Sequence, residues 1–150
     1  MKTFLIFLGL ALALIIGQAA MLRPNPREKS LMALREEARR LGLNPRLLPP
    51  PEWLKTEVPG RLVACYSMFV EEGHRGLPYW RIERQRDDSW RTLAGDAAVL
   101  GRLELPTLAS ALLAIEVRAN AINLYWTESL GPDALPAIES LLRQIKSKLE

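Results

Sequence analysis

The chain has 150 residues, 49% hydrophobic and 25% charged, values that suit one globular domain plus an N-terminal segment and exclude a disordered chain. Its net charge of +3 is unevenly placed: Arg23 to Arg46 holds seven Lys/Arg against three Glu, whereas Leu47 to Glu150 holds twelve against fourteen Asp/Glu. A nucleic-acid binder carries its positive charge on the folded domain, so this slightly acidic domain argues against DNA or RNA as a partner.

From Phe4 to Ile16 the sequence is uninterrupted apolar, and the low-charge stretch Thr3–Leu22 runs to 20 residues. That is about the length needed to cross a hydrocarbon core of roughly 30 Å at about 1.5 Å per residue. A secretory signal is the competing reading: Lys2 supplies the basic start, and Gly17-Gln18-Ala19 puts small residues where a peptidase cuts. Two features favour an anchor that stays. Arg23, Arg27, Lys29, Arg35, Arg39 and Arg40 follow the apolar run, against Lys2 alone before it, and such an excess marks the cytoplasmic side. A basic cluster so early in a mature region also opposes export. The expected arrangement is therefore a single pass through a bacterial inner membrane, N-terminus out and domain in the cytoplasm; the alternative is a periplasmic domain released by signal cleavage. The partners expected are the lipid bilayer, its anionic headgroups, and another membrane or cytoplasmic protein.

An apolar span running into Leu22-Arg23-Pro24 and a basic stretch resembles the YajC-type accessory subunit of the bacterial preprotein translocase over about residues 4–30. As a whole the chain is similar to a family of uncharacterised bacterial single-pass inner-membrane proteins, some of which carry that translocase label. Their domain ends in a stretch resembling Ala121-Ile122-Asn123-Leu124-Tyr125-Trp126. The resemblance implies a retained anchor. It implies no activity, cofactor or site residue.

Four regions are expected: an anchor over 1–22, a basic juxtamembrane helix over 23–43, a Pro-rich connector over 44–60, and a small α+β domain over 61–150. Asn25-Pro26-Arg27-Glu28 is a helix start, with Asn25 as cap, Pro26 at the first helical position and Glu28 at the third. The helix should end at Leu41, with Gly42 in the left-handed position after it. Leu31, Leu34, Ala38 and Leu41 make one narrow apolar stripe, leaving the basic residues to face solvent, lipid headgroups or a partner helix. Leu47 to Pro51 reads as a stiff extended connector and Glu52 to Glu57 as a single turn presenting Trp53 and Leu54, candidate interface residues together with Tyr125.

Arg61 to Val70 is apolar on both faces and so should be a central strand. Glu71 to Gly76 should be a hairpin loop, Pro78 to Arg84 a second strand with Trp80 and Ile82 on one side, and Trp90 to Leu93 a short third strand. Asp96 to Leu112 is helical in character but broken by Gly101 and Pro106 into two pieces. Ala114–Ala119 and Ala121–Thr127 form the clearest hairpin: Ile115, Val117, Ile122, Leu124 and Trp126 share one face, and Glu116, Arg118, Asn123 and Tyr125 the other. Asp133 to Leu149 is an amphipathic helix whose apolar stripe must bury on that sheet. The fold class is α+β, an antiparallel sheet with helices packed on it.

No motif proposes chemistry. His74 stands alone in a loop, with no second His and no cysteine pair for zinc. Cys65 lies in an apolar strand, the setting of a structural thiol rather than a nucleophile. Turn chemistry accounts for Asp87 and Asp88, and no phosphate loop, G-x-S-x-G or H-E-x-x-H occurs. The expected function is a membrane-anchored accessory or protein-interaction module without enzymatic activity, metal or cofactor.

Overall fold

The computed structural model describes residues 2–21, 25–55, 60–71, 76–105 and 110–150; within the first helix the described side chains are those of residues 4 and 6–18. The chain divides into two compact units, Met1–Met32 and Ala33–Glu150.

Helix α1 (Lys2–Met21) is built of Leu, Ile, Ala and Phe without proline, and every one of its described side chains is exposed. Among the described residues no helix is long and apolar enough to cross a membrane. The expected transmembrane segment is helical over Lys2–Met21, and the structure gives no support beyond that for a membrane crossing.

Helix α2 (Pro26–Arg40) starts where the Asn-Pro signal puts it, the Asn25 carbonyl accepting from the Lys29 N–H at 3.1 Å. It ends one residue before the expected Leu41. The Gly42 N–H bonds the Arg39 carbonyl and the Leu43 N–H the Ala38 carbonyl, each at 3.0 Å, with Gly42 at φ +79°. This closing pattern needs a left-handed residue, which glycine supplies without a Cβ clash. Leu34 and Ala38 of α2 are buried, as is Leu43 just beyond it.

The second unit is an α+β fold on one six-stranded antiparallel sheet, with strands β1 (Asn44–Leu48), β2 (Val63–Phe69), β3 (Leu77–Arg84), β4 (Trp90–Ala94), β5 (Leu112–Ala119) and β6 (Ala121–Trp126). Their spatial order is β1-β2-β6-β5-β3-β4. Residues 44–48, read from sequence as the start of a connector, are an edge strand. Pro45 lacks the N–H that a central strand would need, and β1 pairs on one side only, with β2. β5 begins at Leu112, two residues earlier than its alternation indicates, because an irregularity between Leu112 and Ala114 returns Leu112 to the apolar face opposite Trp126.

One sheet face carries the core. Tyr66, Trp80, Ile82, Leu112, Ile115, Val117, Ile122, Leu124 and Trp126 are all but inaccessible. Helix α3 (Leu135–Leu149), entered through a 3-10 turn at Pro132–Ala134, contacts β3 and β6 and buries Leu135, Ile138, Leu141, Leu142 and Ile145. Burial of such side chains contributes about 1.5–3 kcal/mol each, so this stripe secures the helix. The first of the two helical pieces expected between Asp96 and Leu112 is a 3-10 helix (Ala97–Arg102), with Asp96 accepting from the Ala98 N–H at 2.8 Å; the second falls on 106–109, outside the described residues. The Trp80 Nε1–H donates to the Asp96 carbonyl at 3.0 Å, tying this turn to the core. The hairpin expected across Glu71–Gly76 does not form, because β6 and β5 lie between β2 and β3 in the sheet; residues 72–75, His74 among them, lie outside the described residues.

Candidate functional site

The face of the sheet opposite α3 is ordered in rows that strand register sets. The innermost row runs Arg46–Cys65–Tyr125–Ala114–Glu83–Arg91, one residue per strand from β1 to β4. Beside it runs a polar row, Ser67–Asn123–Glu116–Arg81. Beyond that lie Phe69, Ala121 and Arg118. Alternation along each strand puts these side chains on one face, and cross-strand opposition makes them neighbours.

The turn Pro51–Leu54, closed by the Leu54 N–H on the Pro51 carbonyl at 2.9 Å, straps the inner row. Leu54 joins Val63, Cys65, Ala114 and Tyr125 in a small apolar cluster, with Trp53 packed against it. Trp53 meets Tyr125 edge to face, ring centroids 5.7 Å apart. The three residues expected at an interface, Trp53, Leu54 and Tyr125, are therefore brought together, packed on one another rather than turned outward.

Buried charge organises the rest. Glu83 is 4% exposed and accepts from the Lys55 backbone N–H at 3.3 Å and from Arg91 at 3.3 Å. Glu116, equally buried, accepts from Arg81 at 2.6 Å and pairs with Arg118 at 3.2 Å. The Arg81 guanidinium carbon also sits 4.1 Å from the Trp53 ring centroid and 5.2 Å from that of Tyr79. Cation–π contact and a carboxylate together hold Arg81 in place. In the polar row the Ser67 hydroxyl donates to the Asn123 amide oxygen at 2.7 Å, and Arg46 donates to Ser67 at 3.4 Å.

Burial pushes the Cys65 thiol up, with the Ser67 hydrogen bond opposing it, so the thiol is held away from its nucleophilic form. Burial likewise raises the Tyr125 phenol. The Arg118 guanidinium is raised by the charge of Glu116. Among the described residues no group of three or more His, Cys, Asp or Glu is placed to hold a metal. What the face offers is a charged and aromatic surface, with Arg46, Arg91 and Arg118 reaching solvent.

No family model, curated protein or solved structure matches this chain. Its reading rests on its own geometry.

The basic residues singled out in sequence separate into two groups. Arg27, Lys29, Arg39 and Arg40 are exposed. Arg35 instead donates twice to Glu128, at 2.8 and 2.6 Å, and Tyr66 donates to the same carboxylate at 2.9 Å. Arg23 lies outside the described residues. The residues that sequence reasoning passed over are Arg46, Arg81, Glu83 and Ser67. Alternation in β3 already grouped Tyr79, Arg81 and Glu83; what it lacked was the pairing of β3 with β5, which sets Arg81 against Glu116.

Proposed function

We propose that the chain is a membrane-anchored accessory protein whose α+β domain serves as a protein-interaction module. The observation that carries this is α1: its described side chains are apolar all round but for Gln18, and exposed, Phe4 at 70% and Phe7 at 73%. A helix hydrophobic on every side needs an apolar medium around it. The sequence count of 20 low-charge residues from Thr3 to Leu22 suits a bilayer. Exposed Arg27, Lys29, Arg39 and Arg40 follow, and each cation near anionic headgroups contributes about 1 kcal/mol. By the charge-bias rule the domain then lies on the cytoplasmic side of the inner membrane, where it meets another membrane or cytoplasmic protein. The likeness of residues 4–30 to a translocase subunit bears on the anchor and assigns no process. The second reading, an exported periplasmic domain that binds a small ligand or envelope component, draws on Gly17-Gln18-Ala19 as a cleavage site.

Fractionation of cells making the full chain tests the anchor. The expected result is an uncleaved mass that stays with membranes through an alkaline carbonate wash, and no activity from alkaline phosphatase fused after Glu150. A mass shortened by cleavage near Ala19 would establish the periplasmic reading instead.

A further inference from the structure

The described strand residues of the strapped sheet face carry four arginines, Arg46, Arg81, Arg91 and Arg118, against two glutamates, Glu83 and Glu116. The strap adds Glu52 and Lys55, which cancel. The stretch Leu47–Glu150 is slightly acidic as a whole, so this face is cationic against its surroundings. The excess is also localised. Glu83 balances Arg91, and the single carboxylate of Glu116 serves both Arg81 and Arg118. Among the described residues Arg46 meets only the neutral Ser67 hydroxyl. Among the described residues two positive charges in excess thus lie at the exposed side chains of Arg118 and Arg46. Between and beside them stand exposed Phe69, at 56%, and exposed Tyr79, at 45%.

We infer that this open part of the face binds an acidic, aromatic-bearing segment of a partner protein in extended conformation. Arg46 is on β1 and Arg118 on β5, three strands away and two rows further along, so their backbones stand about 20 Å apart at roughly 4.8 Å per strand and 3.4 Å per residue. An extended chain covers that distance in about six residues at roughly 3.4 Å each. The segment recognised therefore carries two carboxylates about six positions apart, one for each guanidinium, with an aromatic or aliphatic residue between them for Phe69. Asn123, half-buried in the row between, offers a polar group to the segment's backbone, while Ser67 beneath holds its amide oxygen. Charge complementarity selects the partner, and the buried Arg81–Glu116 pair keeps the surface rigid beneath it. This deepens the reading of the domain as an interaction module and rests on it, whereas the anchor stands or falls separately.

The test uses the full chain in nanodiscs of neutral lipid, with fluorescein-labelled dodecapeptides as probes. One peptide carries two Glu about six positions apart flanking a Phe; in a second both Glu are Gln. The expected result is saturable, salt-sensitive binding of the Glu peptide and at least about tenfold weaker binding of the Gln peptide. R118E and R46E should each weaken the Glu peptide by at least about tenfold, and Phe69→Ala by less, while Glu139→Lys on α3 leaves it unchanged. All four positions reach solvent, and an unchanged urea midpoint confirms that each variant folds. Equal binding of the Glu and Gln peptides, or affinity that survives both charge reversals, would overturn the proposal. So would binding to anionic vesicles that R118E and R46E abolish while neither peptide binds, which would assign the face to lipid.

Discussion

Arg35 and Glu128, 93 residues apart in sequence, are joined by two hydrogen bonds of 2.8 and 2.6 Å, and the Glu128 side chain is only 6% exposed. Glu128 holds this position at φ +52°, in the left-handed region. The pair therefore forms against a backbone preference of about 1 kcal/mol. Glu128→Ala keeps the strain and strands both Arg35 and the Tyr66 hydroxyl. It should lower unfolding stability in urea by about 1–3 kcal/mol, with partial exposure of Arg35 favouring the lower end. Glu128→Gly loses the same bonds but relieves the backbone, so it should be milder than Ala by about 1 kcal/mol. Equal midpoints for the two variants would show that strain at Glu128 is not part of the balance.

Packing of α3 is tested by Leu142, which is fully buried, against Lys146 on the half-exposed side of the same helix. Leu142→Ala should cost about 2–5 kcal/mol and Lys146→Ala less than about 0.5 kcal/mol. Similar denaturation curves for the two would mean that the stripe does not secure the helix.

Gly95 and Gly42 separate strain from clash. Both have positive φ, +84° and +79°, but a Cβ at Gly95 would meet the Tyr79 carbonyl oxygen at 2.7 Å and Trp80 at 2.8 Å, whereas one at Gly42 meets nothing within 4 Å. Gly42→Ala should cost about 1 kcal/mol from the backbone alone. Gly95→Ala should cost more, about 2 kcal/mol or above, because backbone must move as well. Thermal unfolding of both variants decides it; an order reversed from this would place the tight turn elsewhere.

Cys65, Tyr66 and Tyr125 all have their acid groups raised, chiefly by burial. In the unfolded chain the thiol loses its proton first, near its ordinary value of 9.0, and the phenols near 10.0, while the folded groups stay protonated. The folded state then binds more protons, so stability is full below about pH 8.5 and falls as pH rises through the alkaline range. Stability measured from pH 7 upward should decline, and Tyr66→Phe should flatten part of that decline. Slow labelling of Cys65 by a thiol reagent until the chain unfolds is the companion expectation; prompt labelling of native protein would contradict its burial.

Much of the sheet was legible because alternation states which residues share a face. Ile115 and Val117 with Ile122, Leu124 and Trp126 are such a set, and so is the α3 stripe from Leu135 to Ile145. Alternation cannot say which strand lies next to which. That is why β2 pairing with β6, and β3 with β5, had to come from the fold, and with them the rows that place Arg81 on Glu116. Pro45 hid β1, since proline argues against a strand except at an edge, and being at an edge is a tertiary fact. The basic residues of α2 looked alike in sequence. Only the position of Glu128, far along the chain, singles out Arg35.

The edge strands have a consequence for crowding. β1 and β4 each have five residues, and each has one flank with no neighbouring strand in the sheet. On β1, Pro45 withholds a donor and Pro49-Pro50-Pro51 stops the strand at once; β4 carries the charged Arg91. Short edges interrupted by proline and guarded by charge are poor templates for another copy's backbone. Copies packed side by side should therefore slide past one another without zipping into a continuous ribbon, and the domain can be concentrated without seeding aggregation.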